Sequence, residues 1–103
     1  MPEAASPCLP DLEVVRHVRL ARRGSQQAYS FLYTRFAALV HAILLGRFAP
    51  ALADELTQEC FATAFARLHQ LQDDSRFGAW IAAMARRMKP TTGAELHDAQ
   101  DLD

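Results

Sequence analysis

Between residues 29 and 44 the apolar side chains Tyr29, Leu32, Tyr33, Phe36, Leu39, Val40, Ile43 and Leu44 recur every three or four positions. That spacing follows the turn of an α-helix and excludes a strand. A helix with so much apolar surface must bury it against other elements, so the chain is bound to wrap itself around this segment. Ser25 stands where an N-cap belongs and Gly46 where the helix should stop. The aromatics of this stripe read as packing. The sequence contains no strand-period segment, internal repeat or Gly-rich phosphate loop.

The remaining segments supply the partners. Asp11 can cap a first helix with Glu13 in its first turn, a stripe of Leu12, Val15 and Val18, and Gly24 as its stop. Pro50 suits the start of a third helix at about 51–69, with Leu56, Cys60, Phe61, Ala64, Phe65 and Leu68 on one side. A polar link, Gln70 to Ser75, follows. Asp74 or Ser75 would then cap a fourth helix running to about Met88, with Phe77, Trp80, Ile81, Met84 and Met88 facing inward. Pro90 ends it. The expected fold is all-α, a compact bundle of about four helices over 11–89. A disordered, proline-bearing leader over 1–10 and an acidic flexible tail over 90–103 flank it.

With 103 residues, half of them apolar, the chain has room for one core and is not wholly disordered. The richest apolar run, Phe36 to Leu45, is interrupted by His41 and falls short of the ~20 residues of a membrane span. No basic-then-apolar signal pattern opens the sequence, so a soluble, cytoplasmic protein is expected. Cys8 and Cys60 lack a metal spacing to any His and are too few for a disulfide framework. Two reduced thiols, no metal and no cofactor are expected.

The net charge of −1 conceals an asymmetry. Glu95, Asp98, Asp101 and Asp103 lie in a tail without Lys or Arg, which leaves the rest mildly basic. Arg16, Arg19, Arg22 and Arg23 form one basic group, and Arg76, Arg86, Arg87 and Lys89 another. Such groups suit an anionic partner, and they equally serve as hydrated faces.

On a helical wheel Glu55, Gln58 and Glu59 fall opposite the apolar arc of helix three, interleaved with Ala62 and Ala66, with Asp54 at the border. This is a flat acidic surface that another helix can approach closely. The same carboxylates also favour a helix N-terminus, and the pattern alone leaves both readings open. No His or Cys stands at a spacing that would make them a catalytic pair, so an enzyme is not expected. On helix four, Trp80 lies at the edge of the buried stripe beside Arg76 and Arg87. That arrangement is a platform for an unstacked base with cations near its phosphate, or else a lid on the core.

The blocks occur in a particular order. Ala21-Arg22-Arg23-Gly24-Ser25-Gln26-Gln27-Ala28-Tyr29 leads into Leu32-Tyr33, then Asp54-Glu55-Leu56-Thr57-Gln58-Glu59-Cys60-Phe61, then Ala64-Phe65 with Leu68. Arg76-Phe77-Gly78-Ala79-Trp80-Ile81 and Ala85-Arg86 complete the series. Together, over about residues 11–88, they resemble region 2 of a bacterial extracytoplasmic-function (group 4) sigma factor of RNA polymerase. The resemblance implies that Asp54, Glu55, Gln58, Glu59 and Ala62 dock on the coiled coil of the polymerase β′ clamp. It implies a flipped base of the promoter −10 element, on the non-template single strand, held by the segment from Phe65 to Trp80. The candidate DNA contacts are Arg67, Gln72, Asp73, Arg76, Phe77 and Trp80, with Arg86 and Arg87 on the phosphates.

Two departures stand out. Arg87 occupies a position where the family usually has Asn, and Lys89-Pro90 cuts the last helix short. No helix-turn-helix segment for the −35 element is expected in the acidic tail. The alternative function is therefore a protein-only domain of sigma fold that titrates polymerase or an anti-sigma factor without reading a promoter. A small duplex-DNA regulator fits less well, because the acidic face of helix three would repel a phosphate backbone.

Overall fold

The computed structural model describes residues 11–90, which form α1 (Leu12–Arg22), α2 (Gln26–Leu45), α3 (Pro50–Ala66) and α4 (Phe77–Arg87). Short 3₁₀ turns at Leu68–Gln70 and Asp74–Arg76 join α3 to α4. The expectations for the leader 1–10, with Cys8, and for the tail beyond Pro90 fall outside the described residues. Helix α2 lies against α1, α3 and α4 and is the centre of the bundle.

Asp11 starts α1 by accepting hydrogen bonds from the backbone N–H groups of Glu13 and Val14. It also receives Arg35 Nη2 at 2.6 Å, and this hydrogen bond is the main reason its carboxyl is held below the usual value. The buried stripe is Val14, Val18 and Ala21, one residue round from the predicted Leu12, Val15 and Val18; Leu12 is 74% exposed. The rotation follows from the two ends of α1, where Asp11 is tied to α2 and Arg22 to the α3–α4 link. Gly24, at φ 91°, closes the helix with Gly24 N–H on the Ala21 carbonyl and Ser25 N–H on that of Leu20. The left-handed conformation of this turn is what a glycine supplies cheaply. Ser25 Oγ then accepts from Ala28 N–H and opens α2.

Along α2, Ala28, Leu32, Val40 and Leu44 are buried, whereas Tyr33 and Leu39 remain substantially exposed. The eight-residue stripe of the sequence is wider than the arc its three neighbours cover. By length and composition alone α2 could cross a membrane, which the count of uninterrupted apolar runs did not register. Part of its apolar surface packs against α1, α3 and α4.

Pro50 begins α3, which ends at Ala66, before the expected residue 69, because the chain tightens into the 3₁₀ turn at Leu68. Ala53, Leu56, Thr57, Cys60, Phe61 and Ala64 are its buried side. Thr57 keeps its hydroxyl satisfied by donating to the Ala53 carbonyl at 2.8 Å. Burial pushes the Cys60 thiol up to about 11.

The expected cap of α4 was Asp74 or Ser75. The structure uses Asp73 instead, which accepts from the Ser75 N–H at 3.0 Å and hydroxyl at 2.7 Å and caps the 3₁₀ turn that runs directly into α4. Asp74 is occupied elsewhere, by Arg22 and Arg19. Gly78 allows α4 to approach α2 closely: a Cβ there would sit 2.8 Å from the Phe36 ring. Phe77 is fully buried between Phe36, Phe65 and Trp80, with ring centroids 5.4, 6.4 and 6.0 Å away. Arg47 reaches over from beyond α2 to donate to the Ala85 carbonyl at 2.8 Å, a cation at the negative end of α4.

Candidate functional site

Because Leu56, Cys60 and Phe61 turn inward, the intervening positions of α3 must face out. Asp54, Glu55, Gln58 and Ala62 are exposed and Glu59 is half-exposed, so all five expected docking residues share one strip. The strip is broader than the sequence indicated. A groove between α2 and α3 continues it, lined by Tyr33, Ala37, Ala38, His41, Asp54, Thr57 and Gln58. His41 Nε2 lies 2.7 Å from Asp54 Oδ1 and fixes the acidic side chain at the groove's edge. Tyr33 is held by the Phe61 ring, centroids 4.7 Å apart. Sequence reasoning assigned neither residue to this face. The available signal was His41 itself, a polar residue inside the most apolar run of α2.

The α3–α4 link forms the second surface. It is not a loose polar loop, since Leu71 is buried and Arg22 reaches across from α1 to hold it. Arg22 donates to the Leu68 carbonyl at 2.8 Å, to the Leu71 carbonyl at 2.5 Å and to Asp74 Oδ1 at 2.7 Å. Arg19 adds a second contact to Asp74 at 3.2 Å. Two arginines first read as one basic patch therefore brace the link.

Held in this way, the link and the first turns of α4 enclose a hollow of about 330 Å³, lined by Gln70, Leu71, Gln72, Asp73, Arg76, Ala79 and Trp80. Gln72, Asp73, Arg76 and Trp80 of the expected DNA contacts are thus brought together. Trp80 is half-buried, supported by Phe77 and open to the hollow. Phe77 itself has no surface to offer a strand; its place is under Trp80. Asp73 has its carboxylate committed to Ser75, which lowers its pKa and keeps a negative charge at the rim. Arg67 is exposed at the C-cap of α3 and does not line the hollow. Arg86 and Arg87 are exposed on the last turn of α4, roughly 15 Å along the helix from Arg76. No group of three or more His, Cys, Asp or Glu side chains among the described residues could hold a metal ion.

The class that the fold and these surfaces define is an all-α bundle that carries an acidic strip and an aromatic hollow. The family model of sigma-70 region 2 matches residues 32–88, more than half the chain, and the match takes in both surfaces. The chain belongs to the sigma-70 region 2 family, whose members are non-catalytic transcription-initiation modules that bind RNA polymerase and promoter DNA. Residues 11–31, with α1 and its bracing arginines, lie outside the match. No curated protein and no solved structure matches the chain.

Proposed function

We propose that this chain is a region 2 module of the bacterial extracytoplasmic-function type, acting in the cytoplasm. It docks on the coiled coil of the polymerase β′ clamp through Asp54, Glu55, Gln58, Glu59 and Ala62. Tyr33 and His41 extend the contact along the groove. The observation that carries this reading is the single exposed strip on α3, acidic and flanked by small side chains. The hollow beside Trp80 takes one unstacked base of the non-template −10 strand, and Arg76, Arg86 and Arg87 meet its phosphates.

Magnitudes assign the two surfaces different tasks. Stacking a base on an aromatic side chain contributes about 1–3 kcal/mol, and opening a base-pair step costs about 1.4 kcal/mol on average. One captured base therefore offsets roughly one lost step. A melted stretch of several pairs requires the strand to be held in place by polymerase as well, so docking comes first and base capture follows.

The docking claim is tested by co-purification with core polymerase. Gln58→Ala combined with Glu59→Arg should abolish it, because the substitutions remove a polar contact and place a cation against an arginine-rich partner. Undiminished binding would sink the assignment. On the DNA side, Trp80→Ala should weaken binding of a −10-like single strand about 5- to 150-fold, the equivalent of 1–3 kcal/mol. A titration at several salt concentrations checks this, and Arg86→Ala with Arg87→Ala should flatten the log–log salt slope by about 1.4.

The short α4, ending at Arg87 with Lys89-Pro90 beyond it, supports a second reading. In that reading the module binds polymerase or an anti-sigma factor and reads no promoter. It predicts no salt-sensitive single-strand affinity.

A further inference from the structure

Apart from Arg19, which helps to brace the link, the outer side of α1 has no role in the functions described above. Leu12, Val15, Arg16, Arg19, Leu20 and Arg23 line one groove along it, with Leu12 largely in solvent and Val15 and Leu20 only partly covered. Three apolar side chains and three arginines therefore share a helix face that the α3–α4 link borders along Leu12, Val15 and Arg19 and leaves largely open. Glu13 engages Arg16 at 3.4 Å and Asp74 engages Arg19 at 3.2 Å, yet these arginine side chains remain 61% and 70% exposed.

We propose that this stripe of α1 is the docking surface for the chain's own acidic segment, residues 91–103. The segment has the complementary composition: Glu95, Asp98, Asp101 and Asp103 without Lys or Arg, interspersed with Leu96 and Leu102. Its reach is sufficient. The end of α4 is tied to α2 at Arg47, and the start of α1 is tied to α2 at Arg35. Those anchors are twelve residues apart on α2 and the turn after it, about 18 Å. Thirteen residues extend to about 40 Å, which spans the gap and leaves enough chain to lie along the first turns of α1. Each exposed ion pair is weak by itself, but tethering supplies a local concentration in the millimolar range, so several weak pairs and two leucines suffice.

The test uses the full chain with a nitroxide label at position 100, as Gln100→Cys in a Cys8→Ser background; Cys60 is buried and stays unlabelled. At low salt the amide signals of Val15, Arg19, Leu20 and Arg23 should lose more than half their intensity relative to the chemically reduced label. They should recover at roughly 0.5 M salt, where the screening length falls to a few ångströms. Arg16→Glu with Arg23→Glu should relieve the broadening while far-UV circular dichroism stays unchanged. Broadening that is absent, centred on another surface, retained in the double variant, or increasing with protein concentration (contact between copies) overturns the proposal.

Discussion

Arg22→Ala is expected to lower the unfolding free energy by about 3 kcal/mol and to weaken single-strand binding in the same protein, although Arg22 does not line the hollow beside Trp80. The side chain is only partly exposed and satisfies two backbone carbonyls and one carboxylate at once, those of Leu68, Leu71 and Asp74. Its loss takes the Arg22 donor from the Leu71 carbonyl, leaves the Leu68 carbonyl with the Leu71 N–H alone, and leaves Asp74, which is mostly covered, without its closest cation. Hydrogen bonds to charged groups contribute about 1.5–3 kcal/mol each, and part of that is regained by water entering the site. Arg22→Lys should restore less than half, since an ammonium cannot present a planar fork to three acceptors. Urea titration followed by circular dichroism gives the stability, and a strand titration gives the binding. A fully stable Arg22→Ala protein would remove Arg22 as the brace of the link.

Phe77→Ala should cost more, about 3–5 kcal/mol, enough to lower the melting midpoint by well over 10 °C. The ring is wholly buried at the meeting point of α2, α3 and α4, with Phe36, Phe65 and Trp80 around it. Removing it opens a cavity that the surrounding rings can only partly fill. Phe77→Leu should cost about 1.5 kcal/mol and leave strand binding nearly intact at temperatures where the variant is folded. That pair of results separates a residue that supports Trp80 from one that touches a base. Differential scanning calorimetry and the emission maximum of Trp80, the one tryptophan in the sequence, report the two effects.

What the sequence made legible follows from the reach of its signals. Local signals were read well: Asp11 and Ser25 as caps, Gly24 as a stop and Pro50 as a start each act within a few residues. Periodicity placed α2 and α4, and the outward face of α3 followed from which residues had to turn in. The errors arose where a distant partner set the outcome. Leu12 is in solvent because the rotation of α1 is fixed by Arg35 and by the link, neither of which leaves a periodic trace. Asp73 rather than Asp74 is the cap because two arginines from α1 claim Asp74. Periodicity placed Phe77 on the inward stripe of helix four, where it lies; the DNA contact that the resemblance implied for it is what its full burial against Phe36 excludes. His41 joined the acidic strip only once α2 and α3 were packed together.

The reach of Arg22 also bears on how the molecule is made. The side chain that braces the wall of the hollow is separated from Asp74 by 52 positions. A ribosome adding about 5–20 residues per second takes roughly 3–10 s to cover that distance. Through this interval α1 has been synthesised but has nothing to clasp, and α2 has its apolar side only partly covered. The acidic strip of α3 is complete in sequence before the link exists. A nascent chain thus completes the acidic strip of α3 first and the hollow beside Trp80 last.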